Sequence, residues 1–311
     1  MKAAALALFL LCLAAQTGGA QQLSGRVEKA GRGVAEVPVT LHRVTRDSSG
    51  AVAQSRSGPG GQFQFNPPPP TADGFTVYFA TAEWQGVRYF GPPLHPTDGR
   101  GDYRVAVFDT VAANAEDPSL RVVRRDLILL PEADGGWEIN EVLRVENTGQ
   151  RTLVSVGGMP TWEFRLPAGA SAFEVGDGGI PADRIQRMGA RVLINAPLPP
   201  GSHDAVVRYR LPGTRSALTL DFKQATGELG LLVREPSPRL RVVGLTRVAD
   251  EQLAGERFTR YTASELRPGA RVRIEWEGPA APLPPVAAAI VVAGLVLLGG
   301  AGWAVRSNRS R

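Results

Sequence analysis

The chain has 311 residues, with 35 basic side chains against 30 acidic ones and a single cysteine. Four of the basic residues, Lys2, Arg306, Arg309 and Arg311, sit at the two ends; taking them from 35 leaves 31, so the remainder is near neutral and lacks the clustered excess that nucleic acid requires. Cys12 lies in the leading apolar run, which excludes a disulfide framework or a thiolate centre from everything after it.

Met1-Lys2 is a short basic start, and Ala3 to Ala15 is an unbroken apolar run. Gly18 and Ala20 stand at −3 and −1 of a cut before Gln21. This order of charge, apolar run and small residues reads as a secretory signal over 1–20. The run is short for a comfortable bilayer span, which takes ~20 apolar residues, and an uncleaved anchor is the alternative to a cleaved signal. Leu11 before Cys12 argues against a lipid acceptor.

From Gln21 to Pro284 the periodicity is two. Gln62-Phe63-Gln64-Phe65, Thr76-Val77-Tyr78-Phe79-Ala80 and Arg271-Val272-Arg273-Ile274-Glu275-Trp276 all alternate, and Gly, Pro and Asp clusters break the runs. Alternation bounded by turn residues is the pattern of antiparallel sheets with one wet and one buried face. The length suits two domains. The small, polar stretch 111–118 (VAANAEDP) is the expected linker.

Four pieces of the first domain carry a resemblance. They are Leu23-Ser24-Gly25-Arg26-Val27, Gly33 through Leu41 (GVAEVPVTL), Ser57 through Phe65 (SGPGGQFQF), and Phe75 to Trp84 followed by Gly86-Val87-Arg88-Tyr89-Phe90. Together 22–108 resembles a carboxypeptidase regulatory-like domain, the transthyretin-like sandwich of many exported bacterial proteins. Ser57-Gly58 stands where that pattern carries Thr-Asp. The resemblance implies an accessory module for folding support, spacing or binding, without the zinc centre of the peptidases such domains sometimes follow. The scarcity of lysine (Lys2, Lys29, Lys223) beside abundant arginine fits a GC-rich bacterial genome.

The second domain, 119–277, is also rich in strand patterns. Arg121, Arg124 and Arg125 read as the solvated face of a strand, and Glu141 to Thr148 as an alternating strand running into a turn. Leu166 to Ala170 and Leu198 to Ser202 read as turns. Ala205 to Leu211 and Ala217 to Phe222 read as neighbouring strands. Beyond them, 278–284 is a Pro-rich stalk that stiffens toward polyproline II. Residues 285–305 hold no charge and have the length of a spanning helix. The basic tail 306–311 and Trp303 place that end in the cytoplasm, N-terminus outside. Ala289 and Ala293 form a small-xxx-small pair, read here as part of a plain anchor.

Chemistry is sparse. Three histidines, His42, His95 and His203, stand at no zinc-ligand spacing; His95 falls in a proline-flanked loop and His203 in a turn before Asp204. No nucleophile elbow or P-loop occurs, and Gly176-Asp177-Gly178-Gly179 is a turn with no helix pattern after it. Arg100-Gly101-Asp102 spells an adhesion tripeptide that turn chemistry also explains. Trp84, Tyr89 and Phe90 flank Gln85-Gly86. Exposed together they offer a stacking surface for a sugar ring or a partner protein; buried they are core, and alternation places at least one inward. Trp137, Trp162 and Trp276 read the same way.

The expectation is an all-β chain: two β-sandwich domains in tandem, at 21–110 and 119–277, followed by a single C-terminal transmembrane helix. It has no catalytic residue, no metal and no cofactor. It stands on the bacterial inner membrane as a non-enzymatic interaction or scaffold protein for another envelope protein. Binding of an envelope glycan is the alternative.

Overall fold

The structure, a computed structural model, describes residues 22–72, 74–98, 102–114 and 117–277. The expected signal (1–20), stalk (278–284), membrane helix (285–305) and basic tail (306–311) lie outside the described residues, as do Arg100 and Gly101. The described chain is all-β and β-sandwich-like, with no α-helix and no helix long and apolar enough to cross a membrane. It divides after Asp109 into two compact units.

The first unit holds β1 (Leu23–Lys29), β2 (Arg32–Gly33), β3 (Pro38–Val44), β4 (Ser49–Arg56), β5 (Gln62–Phe65), β6 (Val77–Trp84), β7 (Val87–Phe90) and β8 (Tyr103–Ala106). β2, β1 and β5 form one sheet, with β8 parallel to β1; the other runs β4-β3-β6-β7. The alternation read from the sequence selects the core. Phe63 and Phe65 of β5, Val39 and Leu41 of β3, and Tyr78, Ala80 and Ala82 of β6 are all buried. The Tyr103 hydroxyl ties the sheets together, accepting the Ala80 amide at 2.9 Å and donating to the Pro92 carbonyl at 2.6 Å. Glycine at 25 lets an aromatic ring cross β1: a Cβ there would sit 2.4 Å from Phe63 Cζ and 2.7 Å from the Tyr103 carbonyl oxygen. Gln85 and Gly86, with φ of 49° and 75°, close the β6–β7 hairpin in the left-handed geometry that matches strand twist.

The second unit holds β9 (Thr110–Ala112), β10 (Leu120–Pro131), β11 (Trp137–Asn147), β12 (Thr152–Val154), β13 (Trp162–Arg165), β14 (Ser171–Val175), β15 (Ile185–Met188), β16 (Arg191–Ile194), β17 (Gly201–Leu211), β18 (Ala217–Asp221), β19 (Thr226–Arg234), β20 (Arg239–Val243), β21 (Thr246–Leu253), β22 (Glu256–Leu266) and β23 (Arg271–Glu277). A seven-stranded sheet, ordered β14-β17-β11-β10-β19-β22-β21, is its spine. One face of that sheet supplies Leu127, Leu129, Ile139, Leu143, Val207, Tyr209 and Leu231 to a single core. The three-stranded sheets β13-β16-β15 and β18-β23-β20 close the core from the other side. Trp137, Trp162 and Trp276 are all buried there, with Trp137 and Trp276 edge to face at 5.5 Å. The opposite face of the spine carries ion pairs such as Arg144–Asp204 at 2.8 Å and Arg210–Glu132 at 2.6 Å.

Four expectations change. Positions 111 and 112, read as the start of a linker, belong to β9, which pairs in parallel with β12. β17 and β18 are not neighbours: the chain leaves the seven-stranded sheet at Pro212 and β18 pairs with β23. His203 lies within β17 rather than in a turn, opposite Val145. Arg125 is buried rather than solvated.

Candidate functional site

Trp84, Tyr89 and Phe90 do not share one surface. Trp84 follows the inward parity of Tyr78, Ala80 and Ala82 and is half-buried at the end of the sandwich, with Lys29 Nζ 5.6 Å from its ring centroid. Tyr89 is 3 % exposed and donates its hydroxyl to the Phe108 carbonyl at 2.8 Å. Phe90, one residue on, turns to the opposite face and is 67 % exposed.

Phe90 ends a row of rings on the outer face of that sheet. Its centroid lies 6.0 Å from Phe79, and Phe79 stacks on His42 at 4.8 Å with 6° between the planes. Register produces the row: His42 is opposite Phe79, and Phe90 is opposite Thr81, two residues along β6. His42 Nε2 is 3.0 Å from Thr81 Oγ1. Burial first, and then the charge of Arg88, hold the His42 imidazole below its ordinary pKa. A neutral ring is therefore favoured in the row.

The other two histidines stand apart. His95 is in a loop where Asp98 accepts its amide, and His203 Nε2 lies 2.7 Å from the Pro199 carbonyl oxygen. Among the described residues no group of three or more His, Cys, Asp or Glu side chains could hold a metal ion. Asp102, the described member of the adhesion tripeptide, is paired with Arg104 at 2.9 Å.

A second site was not read from the sequence. Arg125 on β10 is 6 % exposed and Glu141 on β11 is fully buried. Arg125 Nε donates to Glu141 Oε1 at 2.7 Å, and the Tyr209 hydroxyl of β17 donates to Glu141 Oε2 at 2.8 Å. Burial pushes the Tyr209 hydroxyl well above its ordinary pKa, so it stays a donor. The Phe222 ring lies 5.4 Å from the Arg125 guanidinium carbon. Arg125 points inward because β10 is bulged between Val122 and Arg124: both Val122 and Arg125 then face core positions of β11, Val145 and Leu143. A signal for Glu141 was present. It sits at the same parity as Trp137, Ile139, Leu143 and Val145, so it had to be a buried carboxylate.

Arg125, alone of this hydrogen-bonded trio, lines a groove between the two small sheets, with Glu141 and Tyr209 buried beneath it. Cavities of 700 and 590 Å3 open there and share Arg125, Arg165, Asp221 and Lys223. β13 walls one side and β18 the other, and the Trp162 indole N–H reaches Gln224 Oε1 at 2.8 Å at one end.

No family model and no curated protein matches the chain. Solved structures are distantly similar. An M1 zinc metallopeptidase from Deinococcus radiodurans is 12 % identical over 51 % of this chain and 43 % of its own, with a TM-score of 0.35. A putative protease from Parabacteroides distasonis is 12 % identical over 52 % of this chain and 41 % of its own, with a TM-score of 0.31. The chain thus spans less than half the length of these structures.

Proposed function

We propose that this chain is a non-enzymatic interaction protein of the bacterial envelope, exported and held at the inner membrane by one C-terminal helix, with its β domains outside the cytoplasm. The signal pattern of 1–20 and the uncharged stretch 285–305 support the location. The resemblance of 22–108 to a carboxypeptidase regulatory-like domain supports an accessory role.

The observation that carries the reading is Phe90. A large ring 67 % exposed, continued by Phe79, tilted 35° to it, and by His42 stacked on Phe79, is poor solvent-facing chemistry and good partner-facing chemistry. Aromatic anchors surrounded by polar groups are where binding energy concentrates. Arg88 and Glu83, paired at 2.9 Å on the same face, supply such polar neighbours. The partner is another envelope protein. Pull-down of the full chain from detergent-solubilised membranes should recover one reproducible partner, lost with Phe90→Ser. Recovery of the chain alone refutes the reading. Protease digestion of spheroplasts should remove both β domains; their protection refutes the topology.

A second reading, binding of an envelope glycan, rests on the same ring, because a pyranose face stacks on an exposed aromatic as a protein anchor does. Retention on an envelope polysaccharide, lost in Phe90→Ala with the fold intact, would favour it. Failure on every such polysaccharide removes it.

A further inference from the structure

The groove of the second unit is bounded by two strand edges that are unpaired among the described residues. β13 is the outermost strand of β13-β16-β15, and β18 the outermost of β18-β23-β20. The Leu166 amide bonds to the Ala190 carbonyl, so Trp162, Phe164 and Leu166 spend their amides on β16, and those of Glu163 and Arg165 turn away. On β18, the bonds from the Trp276 amide to the Ser216 carbonyl and from the Phe222 amide to the Ala270 carbonyl do the same. The amides of Ala217, Thr219 and Asp221 turn away from β23. These outward residues line the two cavities, so both edges face the groove. An open edge is a template for another strand.

Charge selects what that strand carries. Arg165, Arg215, Lys223 and Arg273 rim the larger cavity over Arg125, against one carboxylate, Asp221. Asp221 is taken by Arg271 at 2.9 Å, and Arg273 by Glu275 at 2.7 Å. Arg165, Arg215 and Lys223 have no carboxylate partner among the described residues. In the smaller cavity Glu163 is held by Arg191, while Asp117, which accepts from the Ser119 amide and hydroxyl, keeps its charge, so the cationic excess belongs to the larger cavity. Arg215 and Lys223 lie just beyond the two ends of β18 and Arg165 lies on β13, so the cations follow the length of the groove rather than sharing one point. That arrangement suits a linear series of carboxylates better than a single small anion.

We infer that this groove binds an extended acidic segment of a partner protein, which adds a strand to the β18 edge and places its carboxylates on Arg165, Arg215 and Lys223. Backbone pairing supplies affinity and the cations supply selection. The site lies in the second unit and does not use the Phe90 row, so the two fail independently.

The test uses the full chain in detergent and a fluorescent peptide of alternating glutamate and valine. Binding is expected, with slower hydrogen exchange at the amides of Ala217, Thr219 and Asp221. Arg165→Glu with Lys223→Glu, both exposed positions, should weaken it by about tenfold or more while thermal unfolding is unchanged. Three results overturn the inference. Equal binding of a glutamine–valine peptide removes the charge recognition. Equal binding of a peptide N-methylated at alternate amides removes the strand pairing. Binding of a polyuronate where the peptide fails makes the ligand an acidic glycan.

Discussion

Removing Arg125 should destabilise the second unit more than a surface arginine would. Its Nε bonds Glu141 at 2.7 Å, and Glu141 has no solvent contact. In Arg125→Met the carboxylate would be left with the Tyr209 hydroxyl alone. An uncompensated buried charge of this kind costs ~3–5 kcal/mol. For a unit of this size each kcal/mol is worth ~2–4 °C, so the midpoint should fall by roughly 6–20 °C. Urea and thermal unfolding followed by tryptophan fluorescence would read this directly, because Trp137, Trp162 and Trp276 are all buried in that unit. The same reasoning makes a second demand. The triple variant Arg125→Met, Glu141→Leu, Tyr209→Phe removes every polar member of the set. It should recover most of the loss, since a buried pair replaced by apolar groups is near neutral. A loss below about 1 kcal/mol for Arg125→Met, the range of an exposed pair, would refute the argument. So would a triple variant less stable than the single one.

Phe90→Ser should cost only about 0.5–1.5 kcal/mol, the value of its ring contact with Phe79, so lost partner capture with near-normal urea unfolding would locate a binding surface. Gly25→Ala should destabilise the first unit by about 1–3 kcal/mol in the same assay, because Phe63 and the Tyr103 carbonyl already occupy the space. His42 is held below its ordinary value of 6.5, so the unfolded chain binds the proton more readily. The stability from this group is full above that value, is lost as pH falls below it, and levels off beneath the folded value. Imidazole resonances followed by NMR should titrate low, and Arg88→Gln should shift them upward. A midpoint at or above 6.5 would contradict the burial of the ring.

Local pattern was enough for most of the strands. Alternation at Gln62–Phe65 and Arg271–Trp276 reports which side chains are buried, because successive residues in a strand must face opposite sides. The Gln85-Gly86 turn was legible for the same reason: its backbone geometry is demanded within a few residues. The aromatic trio was legible only as a parity. Alternation separates Tyr89 from Phe90, but it cannot say that Phe79 and His42 lie beside Phe90, which depends on the register of three strands.

What only the tertiary structure decided is pairing across distance. One extra residue at Val123 reverses the parity of β10 and carries Arg125 from the expected wet face to the core, and nothing local marks that bulge. The five residues from Pro212 to Ser216 could have closed a hairpin. Instead they carry the chain to a different sheet, because β18 buries Leu218 and Leu220 against the shared core only when it pairs with β23. That displacement leaves the β18 edge open beside β13, over the buried Arg125, and so creates the groove. Composition and alternation by themselves establish an all-β region over 22–277 and near-neutral charge between basic ends. They are sums and nearest-neighbour properties. A groove between two sheet edges is a property of which strands meet.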